Sequence, residues 1–280
     1  MKLGVITDCF KIPLEDSLRL AAELGFHGVQ IYATKGAFSP DSLTSARKAE
    51  IKALLAEKKL EISALCGDMG GHGFQRAEDN PARVEKTKRI IDLAVEFGAK
   101  VVTTHIGVIP ADKADPQYRV LLDAMTECGA YAASKGVTMA IETGPETAPV
   151  LLAFVKDIPC GVGVNLDPAN FVMVTGQDPV EAVELLGNYI VHTHAKDGVM
   201  LKKVDPRAIY DKSFVAGENP VHSADCFREV PLGEGSVDFD AYIAALRRVG
   251  FDGYLTIERE TGADPIGDIT RARDTLRAYL

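Results

Sequence analysis

Hydrophobic and polar positions along this chain follow two alternating periods. Short runs of aliphatic and β-branched residues recur at Lys2–Ile6, Gly28–Tyr32, Glu61–Cys66, Lys100–His105, Val137–Glu142, Gly161–Asp167, Tyr189–Ala195 and Tyr254–Glu258, eight in all. Between them lie stretches such as DSLRLAAELG, SARKAEIKALLAEKK, ARVEKTKRIIDLAVEFG and DAYIAALRRVG, whose apolar residues return at helical spacing and which often end at Gly. Strand followed by helix, repeated throughout, predicts a parallel sheet, because parallel neighbours need a crossover. LGFHGVQIY at 24–32 and VGFDGYLTIE at 249–258 repeat one pattern of helix end, Gly, turn, Gly and strand. Eight such units predict a closed (β/α)8 barrel forming one domain over 1–280. An open doubly wound sheet is the competitor, but its first turn often carries a Gly-rich phosphate loop, and here that turn reads TDCFKIP.

One segment breaks the rhythm. From Asp197 to Val237 the chain is rich in Gly, Pro and Asp and has little periodicity. It follows the seventh strand, so it predicts a long loop at the C-terminal mouth, where barrels of this kind build their sites. A lid over that mouth is the functional reading; an ornamental or oligomer-forming loop is the other.

Composition removes several classes. With 40 acidic against 31 basic residues the net charge is −9, and no basic run offers the phosphate-neutralising patch that nucleic acid requires. No apolar stretch is long enough to span a bilayer, and MKLGVITDCFK lacks the apolar core of a signal peptide, so a cytoplasmic protein with no membrane partner is expected. The five cysteines are odd in number, scattered and without a C-x-x-C pair, which argues against disulfides and against a thiolate metal site.

Side chains alternate along a strand, and splitting each strand into two rows places the chemistry. Strand five sets Thr138, Ala140 and Glu142 against Met139 and Ile141; strand six sets Gly163, Asn165 and Asp167 against Val164 and Leu166; strand eight sets Thr256 and Glu258 against Leu255 and Ile257. The aliphatic row suits the surrounding helices, and the small or polar row points into the barrel and ends in a carboxylate. In strand seven Ile190, His192, His194 and Lys196 share a row; His194, one layer nearer the mouth, is placed to meet Glu142, Asp167 and Glu258, and His192 sits deeper as an orienting or packing residue. Three carboxylates crowded on one imidazole repel one another unless a cation is present. This predicts one divalent metal ion on Glu142, Asp167, His194 and Glu258. Oxygen-rich ligation favours Mn²⁺, with Mg²⁺, Co²⁺ or Zn²⁺ as alternatives.

These residues resemble the xylose isomerase-like TIM-barrel superfamily, in particular its sugar phosphate isomerase/epimerase branch, with ketose 3-epimerases and inosose dehydratases. The resemblance covers essentially the whole chain and rests on IETG at 141–144, NLDPAN at 165–170, HTHAKD at 192–197, PLGEGSVDF at 231–239 and LTIERE at 255–260. It implies the same four metal ligands. It also implies that Glu142 and Glu258 are the acid/base pair that removes and returns a proton beside a metal-polarised carbonyl. Transfer across the substrate plane yields an epimer; return to the adjacent carbon yields an isomer. Dimers or tetramers are expected by the same resemblance.

The chain also departs from the family pattern. A substrate-binding His is expected three residues after the ligand Asp, and Asn170 stands there. A second glutamate beyond strand five is not clearly matched, since Glu146 stands nearer than expected. Arg228 resembles a substrate-binding Arg to within about one residue. His105, from TTHIG, could hold a sugar hydroxyl or be a satisfied core histidine. Lys196 could hold a substrate oxygen or phosphate, or form a strand-end salt bridge to Asp197 or Glu260. The turn LCGDMGGHGF brings Cys66, Asp68 and His72 near the mouth, with Cys66 read as a small buried residue, while Arg259, out of phase with Glu258, reads as structural.

The function expected is a metal-dependent isomerase or epimerase acting on a small sugar or sugar phosphate. The alternative is a lyase that starts with the same proton loss and then expels a leaving group from a keto-sugar, inosose or 3-keto-glycoside. An endonuclease IV-like nuclease needs more histidines than the six present, and a non-catalytic sugar-binding protein needs no pair of glutamates.

Overall fold

The computed structural model describes residues 1–210 and 222–280. Eight parallel strands close into a barrel: β1 (Lys2–Ile6), β2 (Gly28–Tyr32), β3 (Glu61–Cys66), β4 (Val101–Thr104), β5 (Thr138–Glu142), β6 (Val162–Leu166), β7 (Ile190–Ala195) and, last in the chain, β10 (Tyr254–Ile257). The order around the ring is β1-β10-β7-β6-β5-β4-β3-β2. The eight strands read from the pattern are these eight, with ends that agree to within one residue.

Helices enter by a device the chain uses repeatedly. Asp115, Asp178 and Asp264 each precede a proline at the first helical position, and each side chain accepts a hydrogen bond from a first-turn amide. Proline has no N–H to leave unsatisfied there, and the carboxylate meets the positive end of the helix dipole. Between the ring and the helices lies one apolar shell, including Leu3, Val5, Leu65, Ile141, Val164 and Leu255, all 0–1% exposed.

Strand β7 departs from strict alternation. The β6–β7 register shifts between Val164 and Asn165, so Val164 faces Ile190 while Asn165 faces His192. Val191 packs with Ala64, Val101 and Ala140, and a Cβ on Gly163 would touch its methyls. Ile190 therefore leaves the inward row assigned to it by simple alternation and joins the outer shell. One extra residue lets the polar layer of His192 and His194 begin above a tight plug of small residues.

The segment after β7 is less irregular than its sequence suggests. It opens with β8 (Asp197–Met200), which pairs antiparallel with β9 (Phe227–Val230), Asp197 opposite Val230. The middle of the expected lid, 211–221, lies outside the described residues. The hairpin is anchored by Asp197, whose carboxylate accepts four backbone N–H bonds, from Gly198 (2.8 Å), Gly233 (3.0 Å), Gly235 (2.9 Å) and Val237 (3.1 Å). That explains the glycines of PLGEGS: Gly233 has φ +89°, and a Cβ on Gly235 would lie 2.1 Å from Asp197 Oδ1. Among the described residues no helix is long and apolar enough to cross a membrane.

Candidate metal centre

Four strand ends deliver the site. Glu142 ends β5, Asp167 follows β6, His194 lies in β7 and Glu258 follows β10. One ligand atom from each lies within 4.8 Å of the others. His194 Nδ1 stands 3.1 Å from Glu258 Oε2, 3.4 Å from Glu142 Oε1 and 3.6 Å from Asp167 Oδ2. The fold thus brings together the four residues that end the inward rows.

Hydrogen bonding prepares each of them. Asp167 uses the same Asp-Pro entrance as the helices: its Oδ1 accepts from Ala169 N (2.8 Å) and Asn170 N (3.3 Å). Its Oδ2 is buried without a hydrogen-bond partner. Thr143 ties the ends of β5 and β6 together, accepting from Asp167 N at 2.8 Å and donating to Asp167 O at 3.0 Å. Behind His194, Nε2 meets Gln30 Oε1 at 3.1 Å, and Gln30 Nε2 donates to Thr103 Oγ1 at 3.1 Å. A carbonyl oxygen can only accept, so this contact puts a proton on Nε2, with the Asn165 amide nitrogen farther off at 3.3 Å, and it leaves Nδ1 as the nitrogen that faces the carboxylates. Burial alone would lower the His194 pKa, but Glu258 and Glu142 outweigh it and raise it well above the ordinary value, so Nδ1 holds a proton among them until an ion takes its place. Nδ1 makes no hydrogen bond.

His192 lies one layer deeper. Its Nδ1 donates to Asn165 Oδ1 (2.9 Å) and its Nε2 accepts from Thr256 Oγ1 (3.1 Å). Burial first, and the neighbouring His194 second, push its pKa well below the ordinary value, so it is neutral. Its two partners fix the ring beneath His194.

Three carboxylates converging on one imidazole nitrogen, with Asp167 Oδ2 buried and without a hydrogen-bond partner, are unfavourable without a positive charge between them. The donor set of three carboxylates and one imidazole, held from behind through Gln30, fits a divalent ion. Its span approaches that of ligands about 2.0–2.2 Å from a shared ion.

Above this floor opens a cavity of about 710 Å³, lined by Glu142, Glu258, His105, Asn170, Lys196 and Arg228. Asp167 and His194 are 0% exposed beneath it. Tyr210 and β9 residues Phe227 and Glu229 also line it, so the segment after β7 forms part of its wall. His105 Nε2 stands 3.6 Å from Glu142 Oε1, and its ring leans on Tyr210 with centroids 5.8 Å apart. Burial alone would lower the His105 pKa, but Glu142 and Asp68 outweigh it and the net shift is upward. Asn170 Nδ2 is committed to Thr143 O at 2.8 Å. Arg228 is exposed on the cavity wall.

Of the two strand-end partners expected for Lys196 the fold supplies Glu260 and not Asp197, whose carboxylate is taken by the four amides. Its buried amine lies 2.6 Å from Glu260 Oε2 and, beyond that pair, 3.1 Å from Glu258 Oε2 and 3.7 Å from Glu229 Oε2. Arg259 is structural, as its phase predicted: it joins Glu229 on β9 (2.6 Å) to Asp268 (2.8 Å), clamping the hairpin to the end of β10. Cys66 is a buried thiol on the cavity wall, its pKa raised chiefly by burial, and Asp68 lines the same wall. His72 pairs with Asp79 at 2.9 Å.

Glu146, which stands nearer to strand five than the family pattern expects, is buried within electrostatic reach of His105. It is 5% exposed, its Oε2 has no hydrogen-bond partner, and burial raises its pKa to about 8 against the opposing pull of His105. Gln30 and Thr143 carried no signal of their own in the sequence; only the inward phase of Gln30 on strand two hinted at its place.

A family model described as xylose isomerase-like TIM barrel matches residues 18–279. The uncharacterized protein YfiH of Bacillus subtilis (strain 168) is 24% identical over 301 aligned positions, covering 93% of each chain. Fructoselysine 3-epimerase of Shigella flexneri is 23% identical over 277 positions, covering 93% of this chain and 91% of that protein. Among solved structures, a xylose isomerase domain protein from Planctomyces limnophilus superposes with a TM-score of 0.79 at 26% identity, over 99% of this chain and 96% of that one. A Mycobacterium smegmatis barrel in complex with magnesium shares the fold at 21% identity (TM-score 0.71, 99% and 96% covered). So does the IOLI protein with a binding zinc atom, at 18% (TM-score 0.74, 100% and 96% covered). With the family pattern running from the first helix to the last, the chain belongs to the xylose isomerase-like TIM-barrel family.

Proposed function

We propose that the protein is a divalent-metal-dependent carbohydrate isomerase or epimerase whose acid/base pair is Glu142 and Glu258. The observation that carries this reading is that these carboxylates reach His194 Nδ1, at 3.4 and 3.1 Å, from strands on opposite sides of the β6–β7 pair. Both also line the cavity above. A substrate lying there would have one glutamate toward each flank.

Glu142, Asp167, His194 and Glu258 would hold the ion. When bound, it supplies positive charge that polarises a carbonyl and favours loss of the neighbouring proton. One glutamate takes that proton as general base, and the other, as its acid, returns one. Return from the opposite side inverts the carbon, whereas return to the adjacent carbon moves the carbonyl. Lys196 holds Glu258 Oε2 at 3.1 Å and so fixes where its free oxygen points. His105 sits behind Glu142 and can share its proton. Mn²⁺ remains the favoured ion, with Mg²⁺, Co²⁺ or Zn²⁺ as alternatives, and the substrate is a small sugar or sugar phosphate. Kinship with fructoselysine 3-epimerase supports the epimerase form.

One observation keeps the lyase alternative in play. Where epimerases of the family are expected to place a substrate-binding histidine, Asn170 spends its amide on Thr143 O. Incubating the metal-loaded protein with keto-sugars and inososes in D₂O separates the two: deuterated products of otherwise unchanged mass indicate isomerisation, and loss of water or an aglycone indicates lysis. Glu142→Gln and Glu258→Gln should each reduce turnover about 100-fold or more. Near-wild-type turnover in both variants sinks the mechanism.

A further inference from the structure

The mouth is rich in acceptors, and most of its donors are already engaged. Its floor presents carboxylates, which accept when ionised, whereas the oxygens of a sugar also take donors. Asn170 Nδ2 is held by Thr143 O at 2.8 Å, and Lys196 is taken up by Glu260 at 2.6 Å and Glu258 at 3.1 Å. Thr261 Oγ1 lies between Arg259 and Glu229, while Ser223 and Arg228 are exposed to solvent.

Tyrosine supplies the donor that is left. Five of the eight tyrosines engage a side chain through the hydroxyl, as Tyr118 does Asp157 at 2.8 Å. The other three, Tyr32, Tyr189 and Tyr210, have no such partner among the described residues. Tyr189 precedes β7, at the far end of the barrel from the mouth. Tyr32 lines both the mouth and a second cavity beside it, whereas Tyr210 lines the mouth alone.

Tyr210 is also seated there. It ends the helical turn Arg207–Tyr210, and its ring leans on His105 with centroids 5.8 Å apart and planes inclined by 54°. Against its outer end lies Gly144, where a Cβ would stand 3.3 Å from Cε1, Cζ and Oη. Gly144 is not among the glycines of positive φ, so what this glycine supplies is room for the phenol beside the end of β5. Burial first raises the Tyr210 pKa; Lys196 opposes the rise, and Asp167, Glu142 and Glu146 add to it. The hydroxyl therefore keeps its proton, a neutral donor within electrostatic reach of the proposed ion ligands.

We propose that Tyr210 is a substrate-binding residue whose hydroxyl donates to one hydroxyl oxygen of a sugar held over Glu142 and Glu258, making the site selective for sugars that carry that hydroxyl. This rests on the carbohydrate reading of the mouth and adds to it a residue that sets specificity. A site arranged to hydrogen-bond a substrate hydroxyl rejects the analogue that lacks it.

A cycle with one change on the protein and one on the ligand tests this. Manganese-loaded wild type and Tyr210→Phe are titrated by calorimetry with D-fructose, D-tagatose and L-ribulose, then with the monodeoxy analogues of the tightest binder. Phenylalanine keeps the ring on His105 and Gly144, so a role in packing alone would leave affinity unchanged. Wild type should bind the parent ketose about 3- to 10-fold tighter than Tyr210→Phe, the worth of one neutral hydrogen bond. One deoxy analogue should show the same loss in wild type and no further loss in Tyr210→Phe, which identifies the hydroxyl that is read. Affinities of the two proteins within about two-fold for every ketose, losses that add for every analogue, or no ketose bound by wild type at about 10 mM overturns the assignment. Deuterium uptake from D₂O at the carbon beside the carbonyl tests the isomerase reading separately. Exchange whose KM is the same in both proteins removes only the role of Tyr210; coupled binding without exchange removes only the isomerase reading.

Discussion

Gln30 on β2 holds His194 on β7 across the barrel, Oε1 to Nε2 at 3.1 Å, although 164 positions separate them in the chain. The bond occupies Nε2 and leaves Nδ1 as the nitrogen that would meet an ion beside Glu142, Asp167 and Glu258. Gln30→Met keeps the length of the side chain and removes the acceptor. Divalent-ion affinity measured by calorimetry should fall about 10- to 100-fold, the usual effect of losing an outer partner of a ligating histidine. Unchanged affinity in a variant with wild-type circular dichroism would show that the tautomer is set elsewhere.

Thr143 couples two of the proposed ligands, Glu142 beside it and Asp167, through its hydroxyl and the backbone of Asp167. Its hydroxyl both accepts from Asp167 N and donates to Asp167 O, and its own carbonyl accepts from Asn170 Nδ2. Thr143→Val preserves shape but leaves a buried N–H and C=O without partners. The expected cost is about 2–4 kcal/mol of stability in denaturant unfolding, with weaker metal binding because the ends of β5 and β6 lose their mutual register. A change below about 0.5 kcal/mol would contradict this account.

The strands were legible because each is short, aliphatic on one row and small or polar on the other, and because the mouth-facing row ends in a titratable group. That periodicity survives without any tertiary information. It located Glu142, Asp167, His194 and Glu258, and it separated His194 from the deeper His192. It failed where tertiary packing overrides alternation. The shift beside Val191 responds to Ala64, Val101, Ala140 and Gly163 across the barrel, and nothing local to β7 announces it. The β8–β9 hairpin was hidden for a related reason. Its strands have four residues each, and its anchor is one carboxylate meeting amides up to 40 positions away. Glu146 was undervalued because spacing was judged along the chain, whereas the turn after β5 folds it back beside His105.

Asp197 should therefore matter more for stability than its place in a loop-like stretch suggests. It is 1% exposed, and Asp197→Ala would leave the Gly198 and Val237 amides buried without an acceptor and break the bonds to Gly233 and Gly235 that close the loop. A loss of about 3 kcal/mol is expected, lowering Tm by roughly 5–10 °C. Asp197→Asn should recover only part of it, because an amide NH₂ then faces two donors where a carboxylate oxygen had accepted both. Thermal unfolding that is unchanged in both variants would mean the hairpin is held chiefly by Arg259 and Glu229.

Glu146 supplies a pH dependence whose sign is fixed by burial. Its pKa rises from 4.5, the ordinary value, to about 8 in the folded protein. Below pH 4.5 the carboxyl is protonated in both folded and unfolded chains, and it imposes no penalty. As pH rises from 4.5 toward 8 the unfolded chain releases the proton first, so stability is lost progressively through that window. The opposing neighbour is His105, and any deprotonation of His105 raises Glu146 further, which leaves the direction unchanged. Glu146→Gln imitates the protonated acid at every pH. Its Tm should match wild type near pH 5 and exceed it increasingly toward pH 8, by several degrees at the upper end. A constant difference across that range, or one that shrinks as pH rises, would show that Glu146 is ionised in the folded state and that the cavity admits more water than its burial implies.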